Sequence, residues 1–166
     1  MIKNIIFDMG NVLIHFDRGA FLDAVGVEGE DRKLLLREVY LSLEWAMMDR
    51  GTLTEEEAAK LMCSHVPERL HEKVYALVDH WDRPILPVAG MEELVRELKE
   101  NGYNLYLLSN ASYRQHEYWP RIPGSECFTD TLISADHKLI KPQPEIYLLT
   151  LFKNLPLAFC NYSLTE

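Results

Sequence analysis

The 166-residue chain contains three cysteines, Cys63, Cys127 and Cys160, too far apart to form a C-x-x-C pair. That spacing suggests neither a disulfide framework nor a zinc-ligand cluster, so the three read as ordinary thiols. Long apolar runs are also missing. No stretch approaches the roughly 18 apolar residues that a membrane span requires. The opening Met1 to Phe7 passes directly into a strand-like run too short for the core of a signal peptide. These features point to the cytoplasm and to no membrane partner. Positive charge is scarce, with 17 Lys and Arg against 26 Asp and Glu and a formal charge of -9. No Lys/Arg block concentrates what there is. Such a surface repels polyanions and argues against nucleic acid, while a small anionic substrate needs only a local patch of donors. Neither an internal repeat nor a low-complexity tract is present.

What the chain does have is the profile of a globular protein, 48% hydrophobic and 26% charged, in a length suited to one composite domain. Ile5-Ile6-Phe7 is a short continuous apolar run ended by Asp8 and Gly10, which predicts a strand buried on both faces of a parallel sheet. From about Asp17 to Trp81 the periodicity turns helical, punctuated by Gly26, Gly29, Gly51 and Pro67 into about four helices. Thr54 with Glu57 three residues on has the capping-box pattern. Beyond Pro84, Pro87 and Gly90 the pattern predicts a helix through Met91 to Leu98 and a buried strand from Leu105 to Leu108. A helix around Ser112 to Trp119, a strand near Thr131 to Ser134, and a last helix from about Glu145 to Asn154 follow, with Pro144 at the first helical position. Strands alternating with helices predict an α/β fold with a Rossmann-like, doubly wound parallel sheet. Residues 1–14 and 84–166 would form its core, and 15–83 an inserted helical cap.

In open α/β sheets the site lies at the carboxyl ends of the strands. Two strands here end in reactive residue types, Asp8 and Ser109. Taken singly, each reads as readily as a turn or helix cap. Together with Lys141, they offer a carboxylate, a hydroxyl beside an amide, and an ammonium. That set suits phosphoryl transfer through an aspartyl-phosphate: the carboxylate attacks phosphorus, the hydroxyl and the N–H groups after it hold phosphate oxygens, and the ammonium offsets charge. Lys138, three residues from Lys141, is the alternative cation.

Three segments carry a resemblance: Phe7-Asp8-Met9-Gly10-Asn11-Val12-Leu13, Leu107-Leu108-Ser109-Asn110, and Lys141-Pro142-Gln143-Pro144-Glu145-Ile146-Tyr147. In this order they look like the first three motifs of haloacid dehalogenase-like hydrolases, with a helical insertion after the first motif as in members with a type 1 cap. Asp49-Arg50-Gly51-Thr52-Leu53-Thr54 and Tyr118-Trp119-Pro120 most resemble the sugar-phosphate branch typified by α-D-glucose-1-phosphate phosphatase. The resemblance implies Asp8 as nucleophile and magnesium ligand, and the Gly10 carbonyl as a second ligand. It implies Ser109, Asn110 and Asn11 at the phosphate, and Lys141 as the charge-neutralising lysine. It also makes Trp45, Met47, Met48 and Arg50 cap candidates for substrate contact, although a Trp/Met cluster on a helix is more often core. The substrate class implied is a small phosphate ester.

Two departures from the family pattern stand out. The general acid/base aspartate expected two residues after the nucleophile is replaced by Gly10, with His15 and Asp17 as nearby substitutes or simply the first turn of the cap. The acidic pair expected after the last strand is also missing. Leu157 to Cys160 would supply that strand, and Asn161 would fall near the absent carboxylate. These features predict a C-terminally truncated core, weak Mg2+ binding and a bared edge beside the Asp8 strand that favours a homodimer. They also keep open a catalytically impaired fragment or binding module. A haloacid dehalogenase is a further alternative, disfavoured by Gly10 where that branch usually carries an aromatic residue.

Overall fold

The computed structural model describes residues 2–154. Three strands, β1 (Asn4–Phe7), β2 (Asn104–Ser109) and β3 (Asp130–Ile133), form a parallel sheet in the order β1-β2-β3. Ile6 stands beside Tyr106, and Leu108 beside Leu132. Side chains alternate between the two faces of a strand. Ile5, Phe7, Leu105 and Leu107 therefore share one face and pack in a single cluster with Val95 and Leu98 of helix α6 (Met91–Glu100). Leu108 and Leu132 lie on the other face and pack against Ile146 of α9 (Pro144–Asn154). Helices thus cover both faces, as in a doubly wound sheet.

β1 departs from the expectation of burial on both faces. Among the described residues it is an edge strand, and Ile6 is 43% exposed. The cause lies in the reach of α9, whose buried Ile146 meets the second and third strands but not the first.

Between β1 and β2 the chain runs through α1 (Arg18–Ala24), α2 (Gly29–Leu35), α3 (Leu43–Asp49), α4 (Glu55–Cys63) and α5 (His71–Asp79). They enclose their own apolar cluster, including Leu22, Leu35, Met48, Met62, Leu70 and Leu77. Five α-helices stand where the Gly and Pro punctuation suggests about four. The additional break is made by Ser42 without Gly or Pro. Its hydroxyl donates to the Val39 carbonyl at 2.8 Å and accepts the Trp45 N–H at 3.1 Å, starting α3. A π-helical turn, Leu36–Tyr40, joins α2 to that break. The Thr54 capping box forms as its sequence predicts: the Thr54 N–H donates to Glu57 Oε2 at 2.9 Å and the Glu57 N–H to Thr54 Oγ1 at 3.2 Å.

Around the sheet, α7 (Gln115–Tyr118) is a single turn, shorter than expected, and α8 (Ser134–His137) follows β3 directly. Cys63 and Cys127 are buried free thiols. The strand expected at Leu157 to Cys160, and with it Asn161, lies outside the described residues. No helix among the described residues is long and apolar enough to cross a membrane.

Candidate active site

Asp8 follows β1 and enters a tight loop. The Met9 carbonyl accepts N–H groups of Val12, Leu13 and Ile14 at 3.2, 2.8 and 3.2 Å. Asn11 completes the turn at φ 58, a left-handed conformation that Asn tolerates better than most side chains. Folded this way, the loop turns Asp8 toward the ends of the other strands. Asp8 Oδ1 accepts the Met9 N–H at 2.8 Å, and Asp8 Oδ2 lies 2.8 Å from Lys141 Nζ. Lys141 also donates to the Leu108 carbonyl at 3.0 Å. The side chain of Asn110 grips the Lys141 backbone at both ends, with Oδ1 accepting its N–H at 2.8 Å and Nδ2 donating to its carbonyl at 3.1 Å. A residue about 30 positions away in sequence is thereby fixed beside the nucleophile candidate.

These groups line a cleft of about 290 Å³, near the lower bound of small-molecule sites, ~300–1,000 Å³. Asp8, Gly10, Asn11, Ser109, Asn110 and Lys141 line its sheet side, and Arg18, Trp45, Met48 and Asp49 its helical side. Phe16, Trp81 and Tyr118 complete an aromatic wall, with ring centroids 5.1 Å apart for Phe16 and Trp81 and 5.1 Å for Trp81 and Tyr118. Burial raises the Tyr118 phenol far above its ordinary range, so the group stays neutral. Asp49 has a more consequential shift. Burial pushes its carboxyl up to about 7, with Glu55 acting in the same direction and the Trp45 hydrogen bond and Arg18 opposing it.

Of the residues singled out in the sequence, Asp8, Gly10, Asn11, Ser109, Asn110, Lys141, Trp45 and Met48 meet at this cleft. Others do not. Arg50 is exposed and donates from Nε to the Lys138 carbonyl at 3.0 Å, so it serves the contact between α3 and α8 and not the cleft. Met47 is also outside the lining. Lys138 bonds the Gly51 carbonyl and the Tyr113 hydroxyl and is no stand-in for Lys141. Asp17 caps α1, accepting the Gly19 and Ala20 N–H groups at 2.8 and 3.1 Å, while His15 borders a separate shallow hollow. The backbone N–H of Ala111, expected at the phosphate, donates instead to Ser134 Oγ at 2.9 Å. Asn11 Oδ1 accepts the Phe16 N–H at 3.0 Å, which engages that oxygen in the loop.

Sequence reasoning missed Arg18, Phe16, Trp81 and, as a functional group, Asp49. One signal was available for Asp49: an acid in the last turn of a helix opposes the helix dipole. The buried Ser134 connects it to the sheet. Its hydroxyl donates to the Asp49 carbonyl while accepting the Ala111 N–H.

For a metal ion, the Asp8 carboxylate and Gly10 carbonyl are the oxygen donors that the loop offers. Among the described residues no three His, Cys, Asp or Glu side chains converge. Magnesium commonly takes one or two carboxylates and completes its octahedron with substrate phosphate and water. The donors present fit such a partial site.

A cleft at the carboxyl ends of parallel strands, with a carboxylate and an ammonium in contact at its floor, belongs to the α/β enzymes. The chain belongs to the haloacid dehalogenase-like hydrolases, a family of hydrolytic enzymes whose model matches residues 2–151. Among curated proteins, the (S)-2-haloacid dehalogenase of Pseudomonas putida is 26% identical over 156 residues, covering 89% of this chain and 69% of its own. Solved structures show the same fold. A HAD family enzyme of Bacteroides thetaiotaomicron, in complex with magnesium and inorganic phosphate, superposes with a TM-score of 0.66 at 20% identity, over 92% of this chain and 79% of its own. The L-2-haloacid dehalogenase of Xanthobacter autotrophicus, with chloropropionic acid covalently bound, gives 0.62 at 14% identity, over 93% and 65%.

Proposed function

We propose that this chain is a cytoplasmic phosphomonoester hydrolase acting on a small phosphate ester, of the sugar-phosphate kind, through an aspartyl-phosphate at Asp8. The observation that carries this is the 2.8 Å contact between Asp8 Oδ2 and Lys141 Nζ at the floor of the cleft. An ammonium there holds the carboxylate in place and offsets charge on the group being transferred. In the first step a carboxylate oxygen of Asp8 bonds to phosphorus and the bond to the ester oxygen breaks, releasing the alcohol. In the second, water attacks phosphorus, releasing inorganic phosphate and restoring the carboxylate. Ser109, buried at the end of β2, lines the cleft beside the transferring group. Asn110 positions Lys141 through its backbone. Asp8 and the Gly10 carbonyl would hold Mg2+, which supplies further charge neutralisation when bound. The scheme divides the chain into a core of residues 1–14 and 84–166, of which residue 1 and residues 155–166 lie outside the described residues, and a cap of 15–83 that brings Trp45 against the substrate.

The likeness to the Pseudomonas putida (S)-2-haloacid dehalogenase favours a second reading. There the same carboxylate would attack carbon and expel halide. One panel separates the two: sugar phosphates and other small phosphate esters with and without magnesium, and 2-chloropropionate, each tested on the wild-type chain and on Asp8→Asn. The expected result is phosphate release stimulated by magnesium and abolished in Asp8→Asn. Halide release without phosphatase activity would replace the phosphatase by the dehalogenase, and activity retained in Asp8→Asn would eliminate both.

A further inference from the structure

Hydrolysis of an alkyl phosphate requires a proton for the departing alkoxide, and at Gly10, two residues after Asp8, the chain carries no side chain to give one. Among the described residues lining the cleft, the side chains that titrate or carry charge are Asp8, Arg18, Asp49, Tyr118 and Lys141. Asp8 is spent as nucleophile and Lys141 is paired with it at 2.8 Å. An arginine does not release its proton in proteins. Tyr118 is held neutral far above its ordinary range. Asp49 is what remains. It ends α3 and lines the helical side of the same cleft whose sheet side Asp8 lines. Its main chain is tied by Ser134 Oγ to the Ala111 N–H, in the turn just after Ser109 and Asn110.

We infer, on the phosphatase reading above, that Asp49 is the proton donor and acceptor of the reaction, supplied from the helical insertion in place of the position that Gly10 occupies. Its carboxyl gives a proton to the ester oxygen as the bond to phosphorus breaks, so the product leaves as a neutral alcohol. The resulting carboxylate takes a proton from the water that attacks the aspartyl-phosphate, and Asp49 ends each cycle protonated. Its surroundings suit both halves of the cycle. Burial and Glu55 on α4 raise its affinity for a proton to about pH 7, while Trp45 on its own helix and Arg18 on α1 keep the ionised form accessible. Tyr118 on α7 is coupled to it electrostatically, and Asp8 and Lys141 line the cleft opposite. A catalytic acid/base works best with a pKa near the working pH.

The discriminating experiment compares leaving groups. p-Nitrophenolate departs without protonation, whereas an alkoxide needs an acid. For Asp49→Asn, kcat/KM on a sugar phosphate should fall about 10²- to 10⁴-fold, while kcat/KM on p-nitrophenyl phosphate stays within a few-fold of wild type. Wild-type kcat/KM on the sugar phosphate should decline as pH rises through about 7, and this limb should be missing with p-nitrophenyl phosphate. Equal losses on both substrates, or none on either, overturn the assignment. The wild-type pH profiles with the two substrates test it independently of how the variant folds, and identical profiles would also overturn it. Asp8→Asn is run in parallel. If that variant stays active the nucleophile is misassigned, whereas an inactive Asp8→Asn beside an unaffected Asp49→Asn removes Asp49 alone.

Discussion

Asp49 sits where the partial negative charge of a helix end and burial both oppose its ionisation, and this should be visible in stability as well as in turnover. Its carboxyl titrates near 7 in the fold and near the ordinary value of about 3.9 in the unfolded chain. Between those values the native state holds a proton that the unfolded state has lost, so this group makes stability fall as pH rises from about 4 to 7. Asp49→Asn removes the dependence. The variant should melt like wild type near pH 4 and at a higher temperature than wild type above pH 7, with the difference opening across that window. Thermal melts at a series of pH values measure it, and a variant less stable than wild type at pH 8 would contradict the assigned burial cost. A site residue that costs stability is a common bargain in enzymes.

At the level of elements, the end of α3 packs closely against α8, which follows β3. Gly51 adopts φ +75, and a methyl group there would sit 2.7 Å from Ala135 Cα and nearer still to its carbonyl oxygen. Gly51→Ala should therefore lose about 1–3 kcal/mol through overpacking and positive-φ strain, read by urea unfolding. A variant as stable as wild type would show that the seam gives way easily. The elements legible in the sequence were those with local signals: the Thr54 capping box, Pro144 opening α9, and the apolar runs of β1 and β2. The break at Ser42 carried no Gly or Pro and was not legible. Asp8, Ser109 and Lys141 could be read because each lies at a strand end or in a recognisable motif. Arg18 on α1, Asp49 on α3 and Trp81 just beyond α5 reach the cleft only through the packing of those helices. The commitment of the Ala111 N–H to Ser134 likewise depends on a contact across 23 residues, which periodicity cannot express.

For the molecule as a whole, the arrangement of the sheet sets the terms of self-association. Among the described residues β1 has a neighbour on one side only and exposes Ile6. Open strand edges with apolar side chains invite pairing with another copy. Sedimentation velocity across a concentration series should show a reversible homodimer, and a monomer at every concentration with a high melting temperature would count against pairing through this edge. The sheet side and the helices that run between β1 and β2 both line the cleft, and one oxygen atom has a double duty between them. Ser134 Oγ holds the end of α3 and the turn after Ser109 at the same time. Replacing Ser134 by Ala removes both bonds at once. The end of α3, which carries Asp49, and the turn after Ser109 therefore share one anchor, and a substitution at Ser134 loosens both by the same act.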